Sequence, residues 1–288
     1  MDERAMEELA TGYGLIEGPV WDDSRGLIYS DVINGGVFCV GLDEKVSQII
    51  EHRRGIGGMA LHENGGIVVS GRNIALKPSD GGDTVVLLPD NPDDGCIGFN
   101  DITTDAKGRI YAGALSFRPV GSDDTPKPAD LFLIDLDGSA RKVGGDVMLT
   151  NGLGVSLDGT KLYHSESRRG LIRVYDISEN GDLGPHRTFV DTGDVTPDGL
   201  SVAVDGSVWV AMADGGRVDV FEPDGKLRRS IPCPLPMVTS VCFGGADLMD
   251  FYVVTGSRNS GRDDAGTVYR MRADVAGLPM APAAVAIG

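Results

Sequence analysis

The sequence lacks what a chain needs to cross a bilayer, to coat an anionic surface or to fold around disulfides. No run approaches the roughly 20 consecutive apolar residues of a membrane-spanning helix. Basic residues are scarce: 26 lysines and arginines face 43 acidic residues, a formal charge of −17 that repels phosphate backbones and lipid headgroups. Neither nucleic acid nor a membrane is expected as a partner. The four cysteines, Cys39, Cys96, Cys233 and Cys242, form no C-x-x-C pair, so neither a zinc cage nor a disulfide framework is signalled. They read as small buried hydrophobes. Met1-Asp2-Glu3-Arg4 is polar and unlike a signal segment, from which a cytoplasmic protein is expected.

Several catalytic signatures are missing as well. Gly154-Val155-Ser156-Leu157-Asp158 has no closing glycine of a nucleophile elbow, and no glycine-rich loop carries a P-loop lysine. Gly12-Tyr13-Gly14-Leu15-Ile16-Glu17 lacks the third glycine of a dinucleotide fingerprint. His52, His62, His164 and His186 lie far apart with no metal-binding spacing. Helix signals are nearly absent.

What the chain does have is glycine, 42 residues or about twice the usual share of roughly 7%, together with 41% hydrophobic residues. Many turns between short strands follow. One strand pattern recurs six times, at Gly26-Leu27-Ile28-Tyr29, Gly66-Ile67-Val68-Val69, Arg109-Ile110-Tyr111, Lys161-Leu162-Tyr163, Ser207-Val208-Trp209 and Asp250-Phe251-Tyr252. The markers Tyr29, Val68, Tyr111, Tyr163, Trp209 and Tyr252 are spaced by 39, 43, 52, 46 and 43 residues, the repeat length of four-stranded propeller blades. Alternating strands and turn signals such as Asp137-Gly138, Asn180-Gly181 and Pro223-Asp224-Gly225 fill each repeat. An all-β, six-bladed β-propeller spanning 1–288 as one domain, with four antiparallel strands per blade, is expected. The segment from Ser116 to Ala129 lengthens the third repeat, either as a cover over a site or as a tolerated surface loop.

A further strand precedes each marker, and its start can be compared between copies. The starts are Glu17, Gly57, Asn100, Asn151, Asp198 and Thr239, lying 12, 11, 11, 12, 11 and 13 residues before the markers. In a propeller the innermost strands line the axis, so equivalent starts converge. Glu17, Asn100, Asn151 and Asp198 together make a set of hard oxygen donors suited to calcium, magnesium or manganese. Without a cation, two buried neighbouring carboxylates would repel until one took up a proton.

The motifs Glu17-Gly18-Pro19-Val20-Trp21, Asn100-Asp101, Gly108 to Gly113, Asn151-Gly152, Leu157 to Tyr163, Pro197-Asp198-Gly199 and Thr239 to Gly245 stand in an order that carries a resemblance. The chain resembles the senescence marker protein, regucalcin and gluconolactonase family of six-bladed propellers. The resemblance implies a lactone hydrolase acting on a small-molecule lactone. It also implies one divalent metal ion, calcium with zinc, manganese, magnesium or iron as alternatives, held by Glu17, Asn151 and Asp198. Asp198 matches the family's general base, Asn100 a further ligand or substrate contact, and Asp101 a position in the substrate pocket. One departure is Gly98, where sugar-lactonase members often carry arginine; with Phe99 and Phe117 adding apolar area, it points to a less polar lactone or another ester. Two other readings use the same fold: an organophosphate or ester hydrolase on the same metal, and a non-enzymatic propeller for calcium binding or protein interaction.

Overall fold

Short runs of β-branched and aromatic residues, cut by glycine and Asx turns, pair readily with their sequence neighbours, and most of the fold is a series of such meanders. The computed structural model describes residues 6–51 and 53–287, so the opening tetrapeptide and His52 lie outside it. After β1 (Glu7–Tyr13), the first sheet holds β2 (Ile16–Asp22), β3 (Gly26–Asp31), β4 (Val37–Gly41) and β5 (Val46–Ile50). The second holds β6 (Met59–Leu61), β7 (Ile67–Val69), β8 (Ile74–Lys77) and β9 (Val85–Leu88). The third holds β10 (Gly98–Thr104), β11 (Ile110–Leu115), β12 (Ala129–Ile134) and β13 (Ala140–Val147). The fourth holds β14 (Thr150–Val155), β15 (Lys161–Glu166), β16 (Leu171–Asp176) and β17 (Arg187–Asp191). The fifth holds β18 (Pro197–Val202), β19 (Val208–Met212), β20 (Arg217–Phe221) and β21 (Leu227–Pro232). The sixth takes β22 (Met237–Gly244), β23 (Asp250–Gly256) and β24 (Gly266–Arg272).

The fourth strand of the sixth sheet is β1, which pairs antiparallel with β24 through Glu7 opposite Arg270 and Thr11 opposite Thr267. The N-terminal strand thus completes the last blade, a closure the sequence pattern does not reveal. Six four-stranded antiparallel sheets make the chain an all-β, six-bladed β-propeller. Among the described residues the helical content is two 3₁₀ turns, Pro92–Asp94 and Ser167–Arg169.

The chain divides into two compact units. One comprises the first, fifth and sixth blades (through Ile56, and Thr192–Pro279); the other comprises the second to fourth blades (Gly57–Asp191) with the C-terminal segment from Met280. In the first unit Trp209 packs edge-on to Phe243 at 5.2 Å, and Trp21 stacks on Tyr252 at 5.7 Å. In the second, Tyr111, Leu153, Leu162 and Tyr175 form one cluster and Phe99, Ile102, Ile110 and Leu76 another. All six marker residues are buried, each contributing about 1.5–3 kcal/mol of apolar burial. The C-terminal segment straps the second unit: Ala283 N–H donates to Leu61 O (2.7 Å), Ala284 N–H to Gly108 O (2.9 Å) and Ala286 N–H to Leu136 O (2.8 Å).

Cys39, Cys96 and Cys242 are buried and unpaired, as expected, and Cys233 is half-buried. Burial pushes the Cys242 thiol up to about 12 and Cys233 to about 11, so neither is a ready nucleophile.

Candidate functional site

Register shifts fall between the third and fourth strands of every blade, and a second set falls near the start of the first strand in five of them. In the third blade the ladder passes from Phe99 opposite Ala114 to Ile102 opposite Ala112, so Asn100 and Asp101 face a single partner residue. The same break falls between Thr150 and Leu153 around Asn151, and between Pro197 and Leu200 around Asp198. In the first blade Glu17 borders the break that ends at Val20. A β-bulge turns a side chain away from the alternation of its strand, and bulges gather at functional sites for that reason. Asn100, Asp101, Asn151 and Asp198 therefore sit in equivalent breaks, and Glu17 stands beside one. The other two blades break the polar pattern: Gly57 precedes β6, which pairs regularly, and Thr239 is buried and donates to Ile16 O at 2.6 Å.

In the first unit Glu17 is half-buried, its carbonyl accepting from Ser30 Oγ at 3.1 Å. Asp198 is only 5% exposed. Gly199 beside it has no room for a side chain, because a Cβ would lie 2.0 Å from Ser240 Oγ.

In the second unit the structure brings Asn100 and Asn151 together. Asn100 Nδ2 donates to Asn151 Oδ1 at 2.6 Å and to Thr150 O at 2.8 Å, while Asn151 Nδ2 donates to Ser167 Oγ at 2.8 Å. These bonds fix the Asn151 amide so that its oxygen is presented on the Asn100 side. A Cβ on Gly57 would lie 2.1 Å from Asn100 Oδ1, so the glycine makes room for that amide. Asp101 Oδ1 accepts from Ile102 N–H at 2.9 Å, yet desolvation pushes its carboxyl up to about 7.

Beneath this pair lies a polar cluster that sequence reasoning missed. Thr150 Oγ1 bonds His164 Nε2 at 2.8 Å, and desolvation, with the neighbouring Arg173 charge, pushes the wholly buried imidazole down to about 3. His164 is therefore a neutral positioning group. Arg173 and Glu166, both within 1% of complete burial, form an ion pair, and Arg173 Nη2 also donates to Asp146 O at 2.7 Å. The only sequence signal was the polar run His164-Ser165-Glu166 in a strand.

The apolar-substrate expectation is corrected here. Phe99 is 1% exposed and packs edge-on against Phe132 at 5.9 Å in the blade core, and Phe117 is 5% exposed. Neither offers apolar surface: Phe99 is packed in the blade core and Phe117 is buried in the loop after β11. At Gly98 a Cβ would lie 2.9 Å from Gly71 O, so the position has no space for a side chain without backbone adjustment. The long loop after β11 is pinched by Ser116 Oγ donating to Lys127 O at 2.5 Å, with Phe117 tucked in at its base.

Among the described residues no three His, Cys, Asp or Glu side chains cluster as metal ligands. The donors of Glu17, Asn151 and Asp198, each taken in its own blade, are oxygens, and oxygen-only donors fit a hard cation such as calcium, magnesium or manganese better than zinc.

A six-bladed propeller with polar residues in or beside a register break at the first strand of four blades fits a recognisable class of protein. The SMP-30/Gluconolactonase/LRE-like region model matches residues 15–257, and the chain belongs to that family. The chain is 29% identical to a 6-deoxy-6-sulfogluconolactonase of Pseudomonas putida over 91% of this chain and 92% of the relative. It is 30% identical to regucalcin of Xenopus laevis, covering 90% and 91%. Among solved structures, a calcium-binding protein, regucalcin, from Agrobacterium tumefaciens superimposes with a TM-score of 0.85 at 19% identity, covering 97% of each chain.

Proposed function

We propose that the chain hydrolyses sugar lactones with the help of one divalent cation held by Glu17, Asn151 and Asp198, with Asn100 orienting Asn151. The observation that carries this reading is that Asn100, Asn151 and Asp198, far apart in sequence, occupy the same register break in three blades and Glu17 borders it in a fourth. Family membership and the lactonase named among the relatives support the substrate class. The all-oxygen donor set and the calcium-binding relative favour calcium.

A bound cation would supply Lewis-acid polarisation of the lactone carbonyl and stabilisation of its oxyanion. The Asp198 carboxylate takes a proton from the attacking water as its oxygen bonds to the carbonyl carbon. Collapse of the tetrahedral adduct breaks the ring carbon–oxygen bond, and the proton on Asp198 passes to the departing ring oxygen. The product is the open hydroxy acid. Asn100 and Asp101, on one bulge, orient the ring hydroxyls. Asn151, clamped between Asn100 and Ser167, keeps its oxygen fixed and needs no reorganisation when the reaction begins.

The test is a panel of five- and six-membered lactones, sugar-derived and apolar, run beside a phosphotriester. Turnover of sugar lactones, with the phosphotriester slower, is expected. Phosphotriester cleavage without lactone cleavage would replace this reading with an organophosphate hydrolase. Tight calcium binding with no hydrolysis at all would leave a binding propeller.

A further inference from the structure

The 3₁₀ turn Ser167–Arg169 follows β15 at the same end of the fourth blade as Asn151, and its three residues have separate tasks. Ser167 Oγ accepts from Asn151. Arg169 is neutralised, 3.2 Å from Glu166 Oε2 and 2.9 Å from Asp146 Oδ1. Arg168 between them is exposed, and no ion pair among the described residues engages it. Its guanidinium instead lies over the Phe117 ring, Cζ 5.8 Å from the centroid. A cation–π seat limits where the head group can go without consuming its hydrogen-bond donors.

Phe117 begins the loop that follows β11, the strand whose last residue, Leu115, pairs with Gly98 two residues before Asn100. The seat and the asparagine pair therefore share one end of the third and fourth blades. Gly98 leaves no room for a side chain, so β10 itself contributes no cation beside Asn100. On a chain of net charge −17, long-range attraction will not bring an anion in, and a local, oriented cation is required. A guanidinium fork offers paired N–H donors matched to the oxygens of a carboxylate or sulfonate.

The geometry points to Arg168 as the residue that selects lactones bearing an anionic substituent, a carboxylate or a sulfonate on the carbon outside the ring. This rests on the lactone-hydrolase reading and narrows its substrate class. The discriminating measurement is calorimetric binding of sugar δ-lactams, which keep the ring but resist hydrolysis, to the full metal-replete chain. Three lactams are compared, with hydroxyl, carboxylate or sulfonate at the exocyclic carbon. Wild-type protein should bind at least one anionic lactam about 10- to 100-fold more tightly than the neutral one, the range of a hydrogen-bonded charge. The tighter of the two anions names the substituent.

In R168M that ratio should fall to near one, and R168K should retain part of it. The control R187M removes a positive charge from the outer strand β17 of the same blade and should leave the ratio unchanged. Equal binding of all three lactams by wild type, a ratio kept in R168M, or an equal loss in R187M would each overturn the assignment. Hydrolysis of the neutral lactone is measured in parallel. Its absence in wild type counts against the hydrolase reading, while the lactam ratios still decide Arg168.

Discussion

Replacing Asp198 by asparagine is expected to lower kcat for lactone hydrolysis by about 10²- to 10⁴-fold, the usual contribution of a positioned general base. Asparagine has nearly the same shape, so the bulge between Pro197 and Leu200 and the close approach of Gly199 to Ser240 should persist, and thermal unfolding should change little. The carboxylate is 5% exposed, a setting in which its loss is not made good by bulk water acting as base. Because the proposal gives Asp198 two tasks, metal content is measured with kcat. A D198N chain that still holds one ion and has lost turnover identifies the base. A chain whose kcat returns in excess ion makes Asp198 a ligand only, and unchanged kcat removes it from the site altogether.

The second large effect concerns stability. Glu166 and Arg173 pair across β15 and β16 in the interior of the fourth blade, with Met148 N–H donating to Glu166 Oε1 at 2.5 Å. E166Q strands the Arg173 charge in the interior and should cost about 3–5 kcal/mol in denaturant unfolding, and R173M should cost less, because Arg169 stays 3.2 Å from Glu166 Oε2. The double variant E166L/R173M should recover most of that loss, since replacing a buried pair by apolar groups is often close to neutral. Single variants that unfold like wild type would show that the pair is not closed in solution.

The same cluster sets a pH dependence through His164. Its folded-state pKa is held down at about 3, below the ordinary value of 6.5, so the unfolded chain binds the proton first. The stability this neutral imidazole allows is complete above about pH 6.5 and is lost as pH falls from there toward 3. An H164Q chain should therefore lose less stability between pH 7 and pH 5 than wild type does. An identical loss in both would assign the slope to other groups.

The blades were legible because their middle strands are buried on both faces and read as apolar runs recurring every 39 to 52 residues at markers such as Tyr29, Tyr111 and Trp209. The candidate site could be named because polar residues at Glu17, Asn100, Asn151 and Asp198 break that pattern 11 or 12 residues before the markers. The bulges themselves were not legible, since a bulge adds a residue without changing composition. Nor was the closing strand β1, whose sequence Glu-Glu-Leu-Ala-Thr-Gly-Tyr has an exposed outer edge and little apolar signal. His164 stood out as a structural histidine on its strand, but Glu166 and Arg173 escaped notice because charged residues in a strand ordinarily mark its solvent face, and here they satisfy one another inside. Phe99 and Phe117 were misplaced for the converse reason: apolar residues beside a site need not line it.

The central claim is that one divalent cation, held by residues from different blades, makes this propeller a lactonase. The direct measurement is lactone hydrolysis by chelator-stripped protein as calcium, magnesium, manganese or zinc is returned, with bound ion counted per chain. The stripped chain should be inactive, and turnover should rise in step with occupancy to a plateau at one ion per chain. In Glu17→Gln that titration should move to higher ion concentration. Full turnover by the stripped chain, or an ion whose binding is indifferent to Glu17, would contradict the account.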